Sequence, residues 1–433
     1  MDGDTYIEAP TDDTIDIYIG GAKDFVFTAN TLTAESGSSF IGTLGVAGTA
    51  TSVAGIPFYQ GDTGSIYTHD VSGTDDSAQY NTAYGLNALD AITTGDNNVA
   101  VGYEALTTNT AEAGIVAVGY RALKTLNGGD GQSVAVGSEA LEATTTGGYN
   151  TAVGYQALKA NIDGGLSVAV GPSALLANTT GDRNIAIGQA VLYQPDTEND
   201  NLGIGNAALA GPIAGGEFNI AIGNNSLDAL TSADRVTAIG YNAGTAVTTG
   251  GTSTLIGYNA GASITTGNTH VFIGHEAGDG FDTESHNMGI GESALGGPVA
   301  GGEYNVAIGN YSLDALTSSD NNVAIGYQAG TDITTGDNSV YVGYQAGANA
   351  TTGSANTFLG WAAGGLGIVT GGTNVGVGPQ ALYDLTSGAD NISVGYRSAY
   401  NVTTGAKNIA IGTFALTNPD TEDSNLAIGF QAL

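Results

Sequence analysis

A short apolar segment that ends in glycine recurs along most of this chain. At Asn98–Gly102 the sequence is Asn-Val-Ala-Val-Gly, and similar segments follow downstream. Residues two apart on a β-strand point to the same face, so each segment predicts a short strand with one apolar face. We call the closing glycine of each copy the anchor glycine and count positions from it, so that Val101 is at −1 and Val99 is at −3.

The anchor glycine occurs 21 times, and every gap between copies is 17 or 18 residues, with a mean of (429 − 85)/20 = 17.2. A fixed period of this length predicts stacked coils, because one coil cannot bury its own apolar side chains whereas neighbouring coils can. Strands of successive coils should pair in parallel and in register, about 4.8 Å apart. The anchor glycines on which we base the repeat include Gly102, Gly154, Gly188, Gly223, Gly257, Gly326 and Gly412.

We expect the residues at −3 and −1 to form the hydrophobic core of the stack. At −1 every copy except Tyr84 carries Val, Ile or Leu, and most residues at −3 are β-branched. The residue between them, usually Ala, would then face outwards and allow close approach. Replacing Val170 or Ile256 by Asp should therefore bury an unpaired charge. The predicted core residues at −1 are Val101, Val118, Val136, Val153, Val170, Ile187, Ile222, Ile239, Ile256, Ile273, Ile308, Ile325 and Ile411.

The remainder of each coil has the chemistry of turns. An Ala at +3 followed by Leu or Gly at +4, as at Ala105 and Leu106, indicates a return strand or a bend. Thr-Thr-Gly, often followed by Asp-Asn as at Asp96, predicts a turn, since Gly accepts positive φ and Asx side chains bond turn backbone groups. At −4, 14 of the 21 copies carry Asn. Stacked coils would align these side chains in a hydrogen-bonded ladder.

The repeat divides the chain into two expected parts. Residues 81–433 carry the repeat, whereas residues 1–80 lack it and contain alternating apolar runs at Thr14–Ile19 and Phe25–Thr28. We expect the first part to be a small β-rich cap or attachment segment, since an open solenoid end exposes unpaired strand edges. The predicted fold is thus all-β: a parallel β-solenoid, or β-roll, of 21 coils of 17–18 residues with a small N-terminal β segment.

Net charge narrows the range of partners. The chain has 8 Lys and Arg against 42 Asp and Glu, giving 8 − 42 = −34. Such a surface repels nucleic acid and anionic membranes. The first residues lack the basic and apolar regions of a signal peptide, and no run of 18 apolar residues occurs. We therefore expect no membrane insertion, and either a product assembled inside the cell, such as a virion part, or a piece of a longer chain.

No catalytic motif is present, and we predict neither an enzyme nor a required cofactor. The chain has no cysteine, no phosphate-binding Gly-Lys-Ser/Thr loop and no Gly-x-Ser-x-Gly elbow. His270 and His275 are weak metal candidates, and the frequent Tyr at +1 is either a sugar-stacking column or a structural one. Calcium prefers clustered carboxylate and carbonyl oxygens, so the turn carboxylates are weak calcium candidates. These are Asp96, Asp182, Asp337 and Asp390.

The pentapeptides Asn98–Gly102, Ser167–Gly171 and Asn408–Gly412 resemble the head repeats of trimeric autotransporter adhesins, the YadA-like β-roll also found in phage tail fibres. The resemblance covers roughly residues 81–433. It implies a left-handed β-roll, a homotrimer whose chains meet at the Ala-bearing face, and attachment to a host-surface glycan or protein. The coils here are longer than in that family. The chain is thus expected to be a virion tail fibre or stalk or, alternatively, a secreted bacterial surface adhesin or extracellular filament subunit.

Overall fold

The computed structural model describes residues 6–11, 14–19, 22–28, 32–34, 52–53, 56–57, 59–60, 65–68, 77–298, 300–365, 367–417 and 420–433. The chain forms two compact units, residues 1–55 and 56–433. Residues 56–80, which the sequence analysis grouped with the N-terminal segment, thus belong to the second unit. The described residues contain no α-helix, and therefore none that is long and apolar enough to cross a membrane.

The first unit contains a small antiparallel sheet. Its strands are β1 (Tyr6–Thr11), β2 (Thr14–Ile19), β3 (Ala22–Thr28) and β4 (Leu32–Ala34), paired in chain order. A further short strand, β5, covers Ser52–Val53. This sheet confirms the N-terminal β segment that the alternating apolar runs predicted.

The second unit is a solenoid with one three-residue strand in each coil. Three short strands come first: β6 (Ile56–Pro57), β7 (Tyr59–Gln60) and β8 (Ile66–Tyr67). The coil strands, β9 to β29 in order, are Thr82–Tyr84, Val99–Val101, Val116–Val118, Val134–Val136, Thr151–Val153, Val168–Val170, Ile185–Ile187, Leu202–Ile204, Ile220–Ile222, Thr237–Ile239, Thr254–Ile256, Val271–Ile273, Met288–Ile290, Val306–Ile308, Val323–Ile325, Val340–Val342, Thr357–Leu359, Val375–Val377, Ile392–Val394, Ile409–Ile411 and Leu426–Ile428.

Successive coil strands pair in parallel and in strict register. Val99 lies opposite Val116, and Val101 lies opposite Val118. The register also holds across an 18-residue coil, since Val116 pairs with Val134. The additional residue of an 18-residue coil therefore lies outside the strand. These pairings confirm the predicted parallel β-solenoid.

The predicted second apolar pair forms a bend rather than a return strand. Ala105 and Leu106 lie in a turn, and both side chains are fully buried. Leu106 N–H donates to the carbonyl of Ala122, at +3 of the next coil, at 2.9 Å. Coil-to-coil hydrogen bonds thus continue around the bend without a second sheet strand.

The anchor glycines have a backbone conformation that other residues rarely adopt. Gly154 has φ +140°, and a Cβ placed on it would lie 2.5 Å from the carbonyl oxygen of Gly171, the next anchor. The other predicted anchors, Gly102, Gly188, Gly223, Gly257, Gly326 and Gly412, have φ between +131° and +144° and similarly close neighbours. Glycine is required here both for φ and for space.

The predicted core assignment is wrong. The middle residue of each coil strand, usually an alanine such as Ala100 or Ala169, is buried, whereas the residues on either side point outwards. Two-residue alternation fixes which residues share a face but does not say which face is inside. The outward residues that we expected to be core are Val101, Val118, Val136, Val153, Val170, Ile187, Ile222, Ile239, Ile256, Ile273, Ile308, Ile325 and Ile411, all half-buried or exposed.

The interior keeps a nearly constant size by exchanging bulk between two positions. Most coils pair a small residue at −2 with Leu at +4, as in Ala100 with Leu106. Where the residue at −2 is large, position +4 is Gly, and a Cβ on that glycine would collide with the large side chain. The compensating pairs are Leu255 with Gly261, Phe272 with Gly278, Tyr341 with Gly347, and Phe358 with Gly364.

The buried Asn residues at −4 form the predicted ladder. Asn81 Oδ1 accepts the backbone N–H of Asn98 at 2.8 Å, and Asn98 Oδ1 accepts that of Ile115 at 3.0 Å. Asn98 Nδ2 donates to the carbonyl of Glu112, in the next coil, at 2.9 Å. Each side chain therefore satisfies backbone groups that would otherwise be buried and unpaired.

We expect Gly154→Ala to destabilise the solenoid by roughly 3 kcal/mol or more, through φ strain and collision with Gly171. The matched control is Gly114→Asn. Gly114 has φ +72° with its nearest neighbour 3.5 Å from a built Cβ, and Asn97 occupies the equivalent position in the preceding coil. The control should change the unfolding free energy by less than about 0.5 kcal/mol. Equal effects in thermal and urea melts would contradict the anchor assignment.

Because positions −2 and +4 share the interior, substitutions at these two positions should have non-additive effects on the unfolding free energy. Tyr341→Ala should cost about 3–5 kcal/mol, because it leaves a cavity. Gly347→Leu alone should also destabilise, because its side chain would overlap the Tyr341 ring. The double variant restores the Ala–Leu pair used in other coils and should recover at least half of the Tyr341→Ala loss. Additive losses in a double-mutant cycle would refute the compensation.

Candidate interaction surfaces

The outward residues at −3 and −1 of strands β9 to β29 form a continuous surface that we call the Val/Ile face. Val170 is 37% exposed, Ile187 39% and Ile411 40%. The face comprises 21 × 2 = 42 positions, and none carries a charged residue. In a chain with a net charge of −34, this absence marks the face as distinct from the rest of the surface.

The dimensions of the Val/Ile face follow from the stacking. Twenty steps of about 4.8 Å make it roughly 100 Å long, while it is only two side chains wide. Its area is on the order of 1,000 Å², larger than the apolar patches that soluble monomers usually expose. An exposed parallel ladder of β-branched side chains of this length has the character of an interaction surface rather than of scattered surface hydrophobics.

The aromatic residues at +1 stack on one another along the solenoid. Ring centroids are 5.7 Å apart for Tyr103 and Tyr120, and 5.5 Å apart for Tyr241 and Tyr258. His275 continues the second stack at 5.2 Å. Adjacent rings therefore cover part of each other's faces, while Tyr103 stays 41% exposed and Tyr241 46% exposed. This geometry favours the structural interpretation of the aromatic column.

Three of the four calcium candidates are engaged by backbone groups. Asp96 accepts the N–H of Gln79, Asp182 that of Gly165, and Asp337 that of Asp320, each from the preceding coil at 2.7–2.8 Å. Asp390 is exposed and accepts the Thr373 hydroxyl at 2.8 Å. Within the described residues, no three Asp, Glu or His side chains cluster closely enough to hold a metal ion. The structure thus does not bring the four candidates together, and calcium binding stays a prediction.

An alternating charged network lies near the N-terminal end of the coil array. Lys124 contacts Glu104 at 2.7 Å, and Lys159 contacts Glu139 at 2.6 Å. The Lys124 ammonium holds the pKa of Glu104 below its ordinary value, and Lys159 does the same for Glu139. With Arg121, which reaches Glu104 at 3.0 Å and Glu142 at 3.6 Å, the network holds three of the eight Lys and Arg residues of the chain.

A groove of about 580 Å³ runs along this network. Its residues come from positions +2, +5 and +6 of four consecutive coils, so that none belongs to the Val/Ile face. Three of the lining residues are alanines at +6, and we call this row of small side chains the floor of the groove; the longer side chains at +2 and +5 are charged or polar except for Leu176. The lining residues are Lys124, Thr125, Glu142, Ala143, Gln156, Lys159, Ala160, Leu176 and Ala177.

His270, a weak metal candidate in the sequence, is a buried member of the polar ladder, and backbone groups engage both of its ring nitrogens. It occupies position −4, where most coils have Asn, and is 1% exposed. Nδ1 accepts the N–H of Asn287 at 3.4 Å, and Nε2 lies 2.7 Å from the carbonyl of Glu284, to which it donates in this tautomer. The ring also stacks on Phe272 at 4.8 Å. Burial lowers the pKa of His270 to about 4.

Sequence reasoning missed both the groove and the orientation of the Val/Ile face. Residues of the groove are 17 or 18 apart in sequence and become neighbours only when the coils are stacked. Aligning coils by their anchor glycines gives the signal, since Lys124, Glu142 and Lys159 then fall in one column of alternating charge. No comparable single-sequence signal decides which strand face is inside.

Comparison with protein-family models, with curated proteins and with solved structures found no match to this chain. Its function is therefore argued from its own surfaces. The resemblance to adhesin head repeats stays an expectation drawn from the pentapeptides.

The buried His270 predicts a loss of stability in acid. An unfolded His titrates near pH 6.5 and the folded one near pH 4, so the unfolded chain binds the proton first as pH falls. The contribution of neutral His270 to the unfolding free energy is fully present above about pH 6.5. It falls by about 3 kcal/mol as the pH is lowered to 4. His270→Asn should abolish it. The test is the difference in unfolding free energy between wild type and variant from pH 7 to 4; a pH-independent difference would contradict it.

Proposed function

We propose that this chain is a non-enzymatic structural protein that forms the shaft of an attachment fibre by lateral association of several copies. The observation that carries the proposal is the uncharged Val/Ile face on 21 consecutive coil strands. Removing such a surface from water is favourable at about 25 cal/mol per Å² of apolar area. A single chain in water gains none of this stabilisation, because its Val/Ile face stays exposed.

The shape of the Val/Ile face favours copies of the same chain as the occupant. A matching partner must be as long as the solenoid, repeat at the same spacing and lack charge along its contact line. Another copy meets all three requirements, whereas a globular partner would cover only part of the ladder. Closed symmetric assemblies are the usual outcome of such self-complementary surfaces. Three copies, as in the adhesin heads that the pentapeptides resemble, is the number we propose.

The surface where copies meet differs from the one expected from sequence. The Ala residues at −2 are inside the coil, so that they are not available for chain–chain contact. The proposed contact uses the side chains at −3 and −1 instead. With those faces joined around an axis, the carboxylates would remain on the other sides of each coil, in water.

A long, rigid shaft suits attachment at a distance, with several copies adding avidity. We propose a phage-like tail fibre or stalk that acts at a host surface, located in a virion. The alternative is a secreted bacterial surface adhesin or extracellular filament subunit, located at the cell surface. The same face would serve either; flanking genes for virion proteins or for an outer-membrane anchor would distinguish them.

The Val/Ile face predicts different effects for neighbouring aspartate substitutions. Val170→Asp places a charge on the outward face, and should change the stability of the single chain by less than about 1 kcal/mol while weakening assembly. Ala169→Asp buries the charge in the fully closed interior and should cost several kcal/mol. Thr180→Asp adds the same charge at an exposed turn and should leave both properties unchanged.

Solution mass is measured by light scattering or sedimentation over a range of concentrations, with unfolding followed in parallel. We expect wild type and Thr180→Asp near three times 43.0 kDa, and a double variant Val170→Asp/Ile256→Asp near the single-chain mass. A wild-type mass of one chain at every concentration would reject the lateral assembly. So would an unaltered mass in the double variant.

A further inference from the structure

We propose that the groove along the charged network is a binding site for a glycan strand that lies parallel to the solenoid axis. The inference rests on the proposed function, because it names a ligand class for an attachment protein. The groove volume of about 580 Å³ is within the range of small-ligand sites, roughly 300–1,000 Å³. The site is defined by Lys124, Glu142, Gln156, Lys159 and the alanine floor.

The floor of the groove has the shape that a linear chain of rings requires. Ala143, Ala160 and Ala177 occupy the same position, +6, in three consecutive coils. They therefore form a straight, smooth row at a spacing of about 4.8 Å. Such a row presents methyl groups to the apolar C–H faces of sugar rings, which repeat along a glycan at a similar interval.

The walls offer both donors and acceptors. An ammonium has three N–H donors, and Glu104 accepts from Lys124 at 2.7 Å while Glu139 accepts from Lys159 at 2.6 Å. With Glu142 also 3.6 Å from Lys159, at least one donor on each lysine remains for a ligand. Hydroxyl groups both donate and accept, so sugars match this mixture better than ligands that carry acceptors alone.

Gln156 and Glu142 supply the acceptors. Gln156 Nε2 donates to Glu139 at 2.7 Å, which orients the amide and leaves its Oε1 available. The paired charges thus hold the polar side chains in place before a ligand arrives, which lowers the entropy lost on binding.

Charge singles out this stretch of the array. Arg121, Lys124 and Lys159 balance Glu104, Glu139 and Glu142, so that the network is locally neutral on a chain of net charge −34. All the remaining coils lack Lys and Arg at +5 and +6. Several of these coils carry Asp at one of the two positions, including Asp228, Asp314 and Asp384. A neutral or mildly acidic glycan would meet least repulsion here.

The position of the groove is compatible with assembly. Its lining comes from +2, +5 and +6, and the proposed chain–chain contact uses −3 and −1. A glycan site and a lateral contact thus occupy different residues, and each can be removed without touching the other.

The test uses the full chain with cellohexaose as a neutral probe and hexagalacturonic acid as an acidic one. Binding is measured by calorimetry and by chemical-shift changes of the lysine Nζ groups. We expect at least one probe to bind with a Kd of about 1 mM or tighter. Preference for the acidic probe would assign ligand selection to the two lysines; preference for the neutral probe would assign it to the hydroxyl pattern.

Two matched pairs of variants locate the binding. Ala160→Leu fills the floor and should weaken binding at least about tenfold, whereas Ala246→Leu, at +6 of a coil outside the groove, should not. Lys159→Gln should weaken it, and Lys407→Gln should not. Melting temperatures identify any variant that fails to fold, in which case the other pair decides.

The proposal is overturned if neither probe binds at about 10 mM, or if Ala160→Leu and Ala246→Leu bind alike. Solution mass of the same samples keeps this result separate from the proposed function. Glycan binding by a single-chain species would uphold the groove and reject the lateral shaft. Assembly without glycan binding would do the reverse.

Discussion

The close approach of each anchor glycine to the next determines how the coils stack. At this corner the chain leaves the strand with φ near +135°, and the carbonyl of the following anchor occupies the space of a Cβ. The anchor also continues the ladder, since Gly102 N–H donates to the carbonyl of Tyr84 at 2.8 Å. A side chain at the corner would push the coils apart. The in-register strands on one side and the coil-to-coil bonds around the bend on the other depend on the same spacing.

A constant spacing at the corner requires a constant interior, and the chain meets that requirement in two ways. Bulk is exchanged between −2 and +4, as between Phe358 and Gly364, so that coils of different sequence keep the same cross-section. The Asn ladder then satisfies the backbone groups on the strand side of the interior. His270 occupies the ladder as a ring that accepts at Nδ1 and donates at Nε2, and its burial lowers its pKa, so that the ring stays neutral there.

Much of the fold was predictable because a repeat multiplies weak signals. The period, the strand at Val99–Val101, the parallel register and the Asn ladder all follow from residues that recur at one position of the coil. The orientation of the strand does not, since Val-Ala-Val alternates equally well with either face inside. Where position +4 is Leu, as at Leu106, the narrow interior leaves room only for a small residue at −2, so the branched side chains at −3 and −1 face outwards. The aromatic stacks and the groove depend on contacts between coils, which no single repeat displays.

The uniformity that makes the Val/Ile face suitable for lateral contact also makes its register weakly specified. Shifting one copy by a whole coil would place a nearly identical ladder against its partner, at little cost in buried area. Alignment must therefore come from positions where the ladder varies. Thr at −3, as at Thr237 and Thr254, and Met288 interrupt the branched apolar residues at irregular intervals. Four 18-residue coils, which end at Gly137, Gly223, Gly309 and Gly378, interrupt the period elsewhere on the surface. In a lateral assembly, hydrophobic burial would thus supply the affinity, while these departures from the repeat would select one alignment of the chains.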